Sequence, residues 1–206
     1  MKISKKDAQS GLTRNRLIEA AEELFAVHGV GAVSLRQIGL AAGSLNTNVV
    51  GYHFGSKESL VEAIYHHRLP EIDRQKEQLL RELDINGPCL DLHALTRAAW
   101  TPLYQQKGLS GRHSYALFLL NTDREKLGWI RISMNDLYPA SNEIFIRLKR
   151  IFDSSNNEYF SLVMRMQMII VSGALEYIDD NHSGDEVTSR HIFEKSLDLA
   201  YATMIY

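Results

Sequence analysis

The chain has 206 residues, 45% hydrophobic and 23% charged, which is enough apolar side chain to bury a core and too much for a disordered tail. A formal net charge of -2 argues against a general nucleic-acid coat protein, and the lone Cys89 rules out an internal disulfide and suits a reducing compartment. No window approaches the roughly 20 continuous apolar residues of a membrane span, and the opening MKISKKDAQSG lacks an apolar signal core; a cytoplasmic chain with no membrane partner is expected.

Charge is unevenly shared. Residues 1–68 hold 8 Lys+Arg against 6 Asp+Glu, a balance of +2, which leaves 15 against 19, or -4, for the remainder. Lys2, Lys5 and Lys6 fall in an expected N-terminal arm. A modestly basic head on an acidic body suits local phosphate contacts whose strength falls as salt rises.

The apolar pattern is helical nearly throughout, and alternating β-branched runs with Asn-Gly turns are missing. Helices are predicted near 13–29, 35–42, 47–53, 57–84, 90–107, 111–123, 136–153, 157–181 and 185–205, an all-α chain. The second opens with Ser34 as N-cap and Gln37 three residues on, a capping-box pair, and Gly43 ends it. Asn46 is the expected cap of the third, with Leu45 stapled onto Val50. A short helix with an apolar back and Thr47, Asn48 and Tyr52 in front, reached by a glycine-containing turn from another helix, has the organisation of a helix-turn-helix. Polar residues on a short surface helix are often merely solvated, so the whole capped arrangement carries the reading rather than any single residue.

The long helix after Ser56 reads as a linker broken or kinked at Pro70. Asn86, Gly87 and Pro88 form a loop, and Gly128 and Pro139 bracket an irregular stretch near Trp129. From Tyr159 to Ile178 the chain is apolar on more than one side, with Phe160, Val163, Met164, Met166, Ile169, Ile170, Leu175 and Ile178, so this helix requires cover all round. The last helix carries one stripe, Phe193, Leu197, Ala200 and Met204, behind a capping box of Ser183 and Glu186.

Catalytic patterns are missing: no His-Glu-x-x-His, Cys-x-x-Cys, Walker-type loop or Gly-x-Ser-x-Gly elbow occurs, and adjacent His66 and His67 point about 100° apart on a helix, a poor chelating pair. Neither a metal nor a cofactor is expected, and the chain is read as no enzyme.

Residues 13–66 resemble the N-terminal DNA-binding domain of the tetracycline-repressor (TetR) family of transcription regulators. The resemblance rests on Leu17, Ala21, Leu24 and Phe25 in the first helix, on HGVGAVSLRQIGLAAG at 28–43, and most specifically on YHFGSKESL at 52–60. Two departures stand out. The connection from Ala42 to Phe54 is one residue longer than the family's commonest pattern, and Gly51 stands where an aromatic is frequent. Glycine within a helix costs roughly 1 kcal/mol against alanine, so closer approach of backbone to DNA is the expected gain.

The resemblance implies a three-helix head at 1–66 and, at 67–206, a helical effector-binding and dimerisation body. It implies double-stranded DNA, a palindromic operator, as one partner and a second copy of the chain, joined through the last two helices, as another. Closing the monomer's own core is the alternative use of those helices. Arg36, Asn46, Thr47, Asn48 and Tyr52 are expected to face the groove, where Arg36 suits guanine and Asn48 adenine. Thr13, Ser34, Tyr52, His53 and Lys57 are expected at phosphates, the last near the positive end of the helix that Ser56 caps. Val50 and Phe54 are read as core.

A pocket among the middle helices is also implied. Trp100, Tyr104, Tyr115, Phe118, Met134, Tyr138, Met164, Met168 and Tyr177 are its candidate wall, favouring an apolar or aromatic small molecule, with His93, Arg112 or His113 as polar anchor. Trp129 and Phe145 belong to the same aromatic-rich set, for most of which ordinary core packing is the competing account. The function so implied is a homodimeric regulator, most simply a repressor released by that ligand. A DNA-binding module without effector, acting architecturally or as an activator, or a helical enzyme or partner-binding protein are the alternatives.

Overall fold

The computed structural model describes residues 5–46, 48–152 and 157–205, and among these it is all-α, without a strand. The helices are α1 (Lys5–His28), α2 (Leu35–Ala41), α3 (Val49–Phe54), α4 (Lys57–Leu83), α5 (Leu92–Trp100), α6 (Ser114–Arg124), α7 (Gly128–Ile132), α8 (Pro139–Phe152), α9 (Asn157–Asn181) and α10 (Glu186–Ala202). Short 3-10 turns cover Thr101–Gln105 and Asn135–Leu137.

The start of α1 lies at Lys5 rather than near residue 13, so Lys5 and Lys6 belong to a helix; Lys2 lies outside the described residues. The expected capping box on α2 is present: Ser34 Oγ accepts from the Gln37 N–H at 3.2 Å, and the Ser34 N–H donates to Gln37 Oε1 at 2.8 Å. The other end of α2 is a Schellman closure. Gly43, at φ 77°, donates to the Leu40 carbonyl at 2.9 Å, and the Ser44 N–H reaches the Gly39 carbonyl at 2.9 Å. A left-handed residue is required there, which is why glycine occupies it.

Several expectations are corrected. Asn46 does not cap α3; its Oδ1 accepts from the Asn48 N–H at 3.0 Å, and Asn48 takes the N-cap position without a side-chain capping bond. Leu45, 98% exposed, makes no staple on Val50. Pro70 does not break α4, which runs through it with the proline on its exposed side, where a carbonyl freed by the missing N–H can be hydrated. The expected 90–107 helix instead gives way at Thr101 to a 3-10 turn, since Pro102 has no N–H to donate backwards. The cap of α10 is Asp185 rather than Ser183: its Oδ1 accepts from the Thr188 N–H at 3.0 Å.

One apolar core is shared by head and body. It joins Leu17 and Phe25 of α1, Val50 of α3, Leu60 and Tyr65 of α4, Phe118 of α6, Leu175 of α9 and Leu197 of α10. A second cluster packs Leu80 of α4 and Leu95 of α5 on Ile144 and Leu148 of α8 and Phe160 of α9. Phe193, Leu197 and Ala200 of α10, with Met204 just beyond its end, are buried within these clusters, so the stripe closes the monomer's core and is not a free face. A different stripe is left uncovered on α9: Leu162, Met166, Ile169 and Tyr177 are exposed, at spacings of three to eight that keep them on one side. By length and composition α9 is apolar enough to cross a membrane, contrary to expectation; it nevertheless packs on α6 and α10 and carries buried Gln167 and Ser172, hydrogen-bonded to the carbonyls of Ala200 and Ala116.

Candidate nucleic-acid interface and effector cavity

In the head, α2 crosses α3 so closely that a β-carbon on Gly39 would lie 3.2 Å from Val49 Cγ1. Val49 and Val50 form the buried back of α3, while Asn48 and Tyr52 stand in front, Tyr52 81% exposed. Arg36 on α2 is also exposed, and the half-buried His53 ring meets Tyr52 edge-on with centroids 5.2 Å apart. Asn48 is folded over Gly51: a β-carbon there would sit 2.7 Å from Asn48 Oδ1. The glycine therefore makes room for a side chain of its own helix, a use different from the expected close approach to DNA.

Of the remaining sequence candidates, Thr13, Ser34, Asn46 and Lys57 are already engaged in the head. Thr13 Oγ1 donates to the Gln9 carbonyl at 3.0 Å, Ser34 is held in its capping box, and Asn46 turns the chain into α3. Thr47 lies outside the described residues. Lys57 Nζ donates to the carbonyls of Val30 and Gly31 at 2.9 and 3.0 Å, strapping the α1–α2 turn to α4 and leaving one donor over. Arg14, which sequence reasoning passed over, stacks its guanidinium on Phe54 at 5.1 Å and so stands beside α3. Its only sequence signal is proximity to Thr13.

Head and body are tied at several points. Arg68 of α4 grips buried Glu22 of α1 through both carboxylate oxygens, and Ser114 of α6 donates to the same carboxylate. Asn121 Nδ2 caps the carbonyls of Phe25 and Ala26 at 2.9 Å each, and Glu125 accepts the Gly31 N–H at 2.7 Å. Aromatic packing continues the link: Phe118 lies 5.9 Å from Tyr115, 5.2 Å from Tyr65 and 6.5 Å from Phe25, centroid to centroid.

The body holds a half-open cavity of about 90 Å³ lined by residues of α4, α5, α6, α7, α8 and α9, beside a second recess of about 320 Å³. Of the sequence candidates, Trp100, Tyr115, Met164 and Met168 line the cavity, together with Phe145. The others sit elsewhere. Tyr104 packs on Phe193 and donates to Glu186 Oε1 at 3.0 Å; Phe118 and Met134 are buried in the core; the Tyr138 hydroxyl pairs with His66 Nδ1 at 3.1 Å; Tyr177 is exposed on α9. The three proposed anchors are likewise absent from the wall, because each has a local partner. His113 is buried against Asp179 at 2.7 Å, Arg112 pairs with Asp180 at 2.6 Å, and His93 faces Asp198 at 3.6 Å. Lys76 and Arg131 line the cavity in their place. Neither was a sequence candidate; only the fold turns them onto the cavity.

A helix-turn-helix head continuous with a cavity-bearing helical body is the build of a DNA-binding transcription regulator. Residues 17–64 match the family described as bacterial regulatory proteins, tetR family. A crystal structure of PfmR, a TetR family transcriptional regulator from Thermus thermophilus, is similar in fold, with a TM-score of 0.51 at 18% identity over 91% of this chain and 97% of that one. A gamma-butyrolactone receptor, an ArpA-like protein, shares 18% identity over 94% of this chain and 98% of that one, with a TM-score of 0.48. No curated protein sequence matches the chain.

Proposed function

We propose that the chain is a homodimeric repressor that binds a palindromic operator and is released when a small molecule occupies the cavity of the body. Residues 1–66 read the DNA and residues 67–206 bind the effector and the second copy. Arg36, Asn46, Thr47, Asn48 and Tyr52 address the groove; Thr13, Ser34, Tyr52, His53, Lys57 and Arg14 address phosphates. The observation that carries this reading is the exposed polar front of α3, Asn48 and Tyr52, set on a buried back of Val49 and Val50. The uncovered α9 stripe supports a dimer, and two heads on a two-fold axis read half-sites about 34–36 Å apart. A regulator of this kind works in the cytoplasm and needs no enzymatic activity.

Linkage supplies the mechanism. A ligand that prefers a body arrangement with wrongly spaced heads weakens operator binding by the factor that DNA weakens its own binding. The route for this coupling is short: Tyr115 in the cavity wall packs on Phe118, which touches Tyr65 of α4 and Phe25 of α1. Selection of DNA from a random pool by the purified protein tests the reading. An enriched inverted repeat is expected; no enrichment by folded, dimeric protein would refute it.

A further inference from the structure

We infer that the effector of the body cavity is an organic carboxylate with an apolar tail, its anionic head held between Lys76 and Arg131. This rests on the reading that the cavity is an effector site, and it replaces the apolar or aromatic ligand anchored by His93, Arg112 or His113 that the sequence suggests.

Lys76 projects from α4 and Arg131 from α7, and both line the same cavity. Among the described residues neither has an ion pair or hydrogen bond: the carboxylate that faces Lys76, Asp73, is turned to the N-terminus of α8, where it accepts the N–H groups of Ala140 and Ser141 at 3.3 and 2.7 Å. Asp123, on the second recess, is paired with Arg165 at 2.6 Å. Two like charges thus share one half-open pocket without a committed counter-charge, and each raises the cost of the other.

Two neutral groups converge on the same space. The hydroxyl of Tyr115, a residue only 1% exposed, and Ser141 Oγ are buried, line the cavity, and have no hydrogen-bond partner among the described residues. Leaving such groups unpaired is costly, and a carboxylate has four lone-pair sites with which to accept from them and from both cations. Water can satisfy a hydroxyl, but it does not neutralise two cations. The rest of the wall, Leu69, Ile72, Trp100, Phe145, Met164 and Met168, is apolar and adaptable, which suits a hydrocarbon or aryl tail. Burial, followed by the charge of Arg131, pulls the Lys76 ammonium down from 10.5 to about 8, as expected of a cation without its counter-ion.

The chain has two tryptophans, Trp100 in the cavity wall and the exposed Trp129, so Trp129→Phe leaves Trp100 as the single fluorescent reporter. Titrate this protein with straight-chain carboxylates from butanoate to dodecanoate and with benzoate to 4-phenylbutanoate, each beside its neutral primary alcohol, and follow the complex with selected operator DNA in parallel. The best carboxylate is expected to bind roughly tenfold or more tighter than its alcohol. Lys76→Met and Arg131→Met should each remove most of that preference while leaving the alcohol nearly unchanged, and Lys76→Arg should restore part of it, which a merely misfolded Lys76→Met protein would not explain. Alcohols that bind as tightly and release DNA as well would overturn the carboxylate and leave the effector reading standing. Silence of both Trp100 and the DNA complex toward every member of the series would overturn both.

Discussion

Arg68 holds Glu22 by a two-point bridge, Nε to Oε2 at 2.7 Å and Nη2 to Oε1 at 2.8 Å, with the Glu22 side chain 1% exposed. This bridge joins the first helix of the head to the helix that carries the head into the body, and Ser114 of α6 adds a third element at 2.5 Å. Removing one partner strands a charge in the interior. Arg68→Met should therefore destabilise the fold by roughly 3–5 kcal/mol, while the double change Glu22→Gln with Arg68→Met should recover much of that loss. Urea midpoints of the two variants decide it: equal loss in both would mean that the bridge is not what the interior depends on.

Asn48→Ala should relax sequence preference, each bidentate base contact discriminating by about 1–3 kcal/mol. Arg14→Ala should weaken every DNA about equally and flatten the salt slope by roughly one unit. Lys57→Ala should do the same and also lower the melting temperature, because two of its donors hold the carbonyls of Val30 and Gly31. Affinities on operator and scrambled DNA over a salt series separate these roles; the same loss on every sequence from all three variants would remove the distinction.

Gly51→Ala is expected to leave stability unchanged or raise it by up to about 1 kcal/mol, since alanine is the better helix former and the clash at 2.7 Å is only with the mobile end of Asn48. The displaced Asn48 should alter which bases are preferred. Unchanged preference in a repeated pool selection would show that Asn48 does not read bases.

Stability should rise with pH between about 8 and 9.5 through Lys76. The folded chain releases this proton near pH 8, the unfolded chain only near 10.5, so the unfolded state binds more protons in that window and is disfavoured as they leave. Above about 10 the trend reverses, because Tyr65, Tyr115 and Tyr138 are held above their ordinary value by burial first of all, as is Tyr104, pushed up to about 12. Urea midpoints of wild type minus Lys76→Met isolate the lysine; a difference that does not climb from pH 7.5 to 9.5 counts against its desolvation.

Ile169→Glu on the uncovered α9 stripe should give a monomer with little loss of fold, and operator affinity should fall at least roughly hundredfold as the second head is lost. Sedimentation and DNA titration of the variant test this. A variant still dimeric would place the interface elsewhere.

The local features of the head were legible in the sequence because they are set by neighbours along the chain. Ser34 with Gln37, Gly43 after α2, and the buried Val50 follow from capping, left-handed backbone and helical period, which act over four residues or fewer. Periodicity also distinguished helix from strand and located α9 at 157–181. It failed where the decision belongs to distant segments. The α10 stripe Phe193 and Leu197 has the pattern of an interface but is claimed by the monomer's core, while Met166 and Ile169 are left in the open. His113 looked available until Asp179, 66 residues away, took both its ring and its backbone N–H. Lys76 and Arg131 carry no motif that marks them in the sequence, yet tertiary packing turns them onto one cavity. A sequence pattern gives each side chain a face of its own helix; only the packing of helices decides what that face meets, and burial, partner and charge all follow from the meeting.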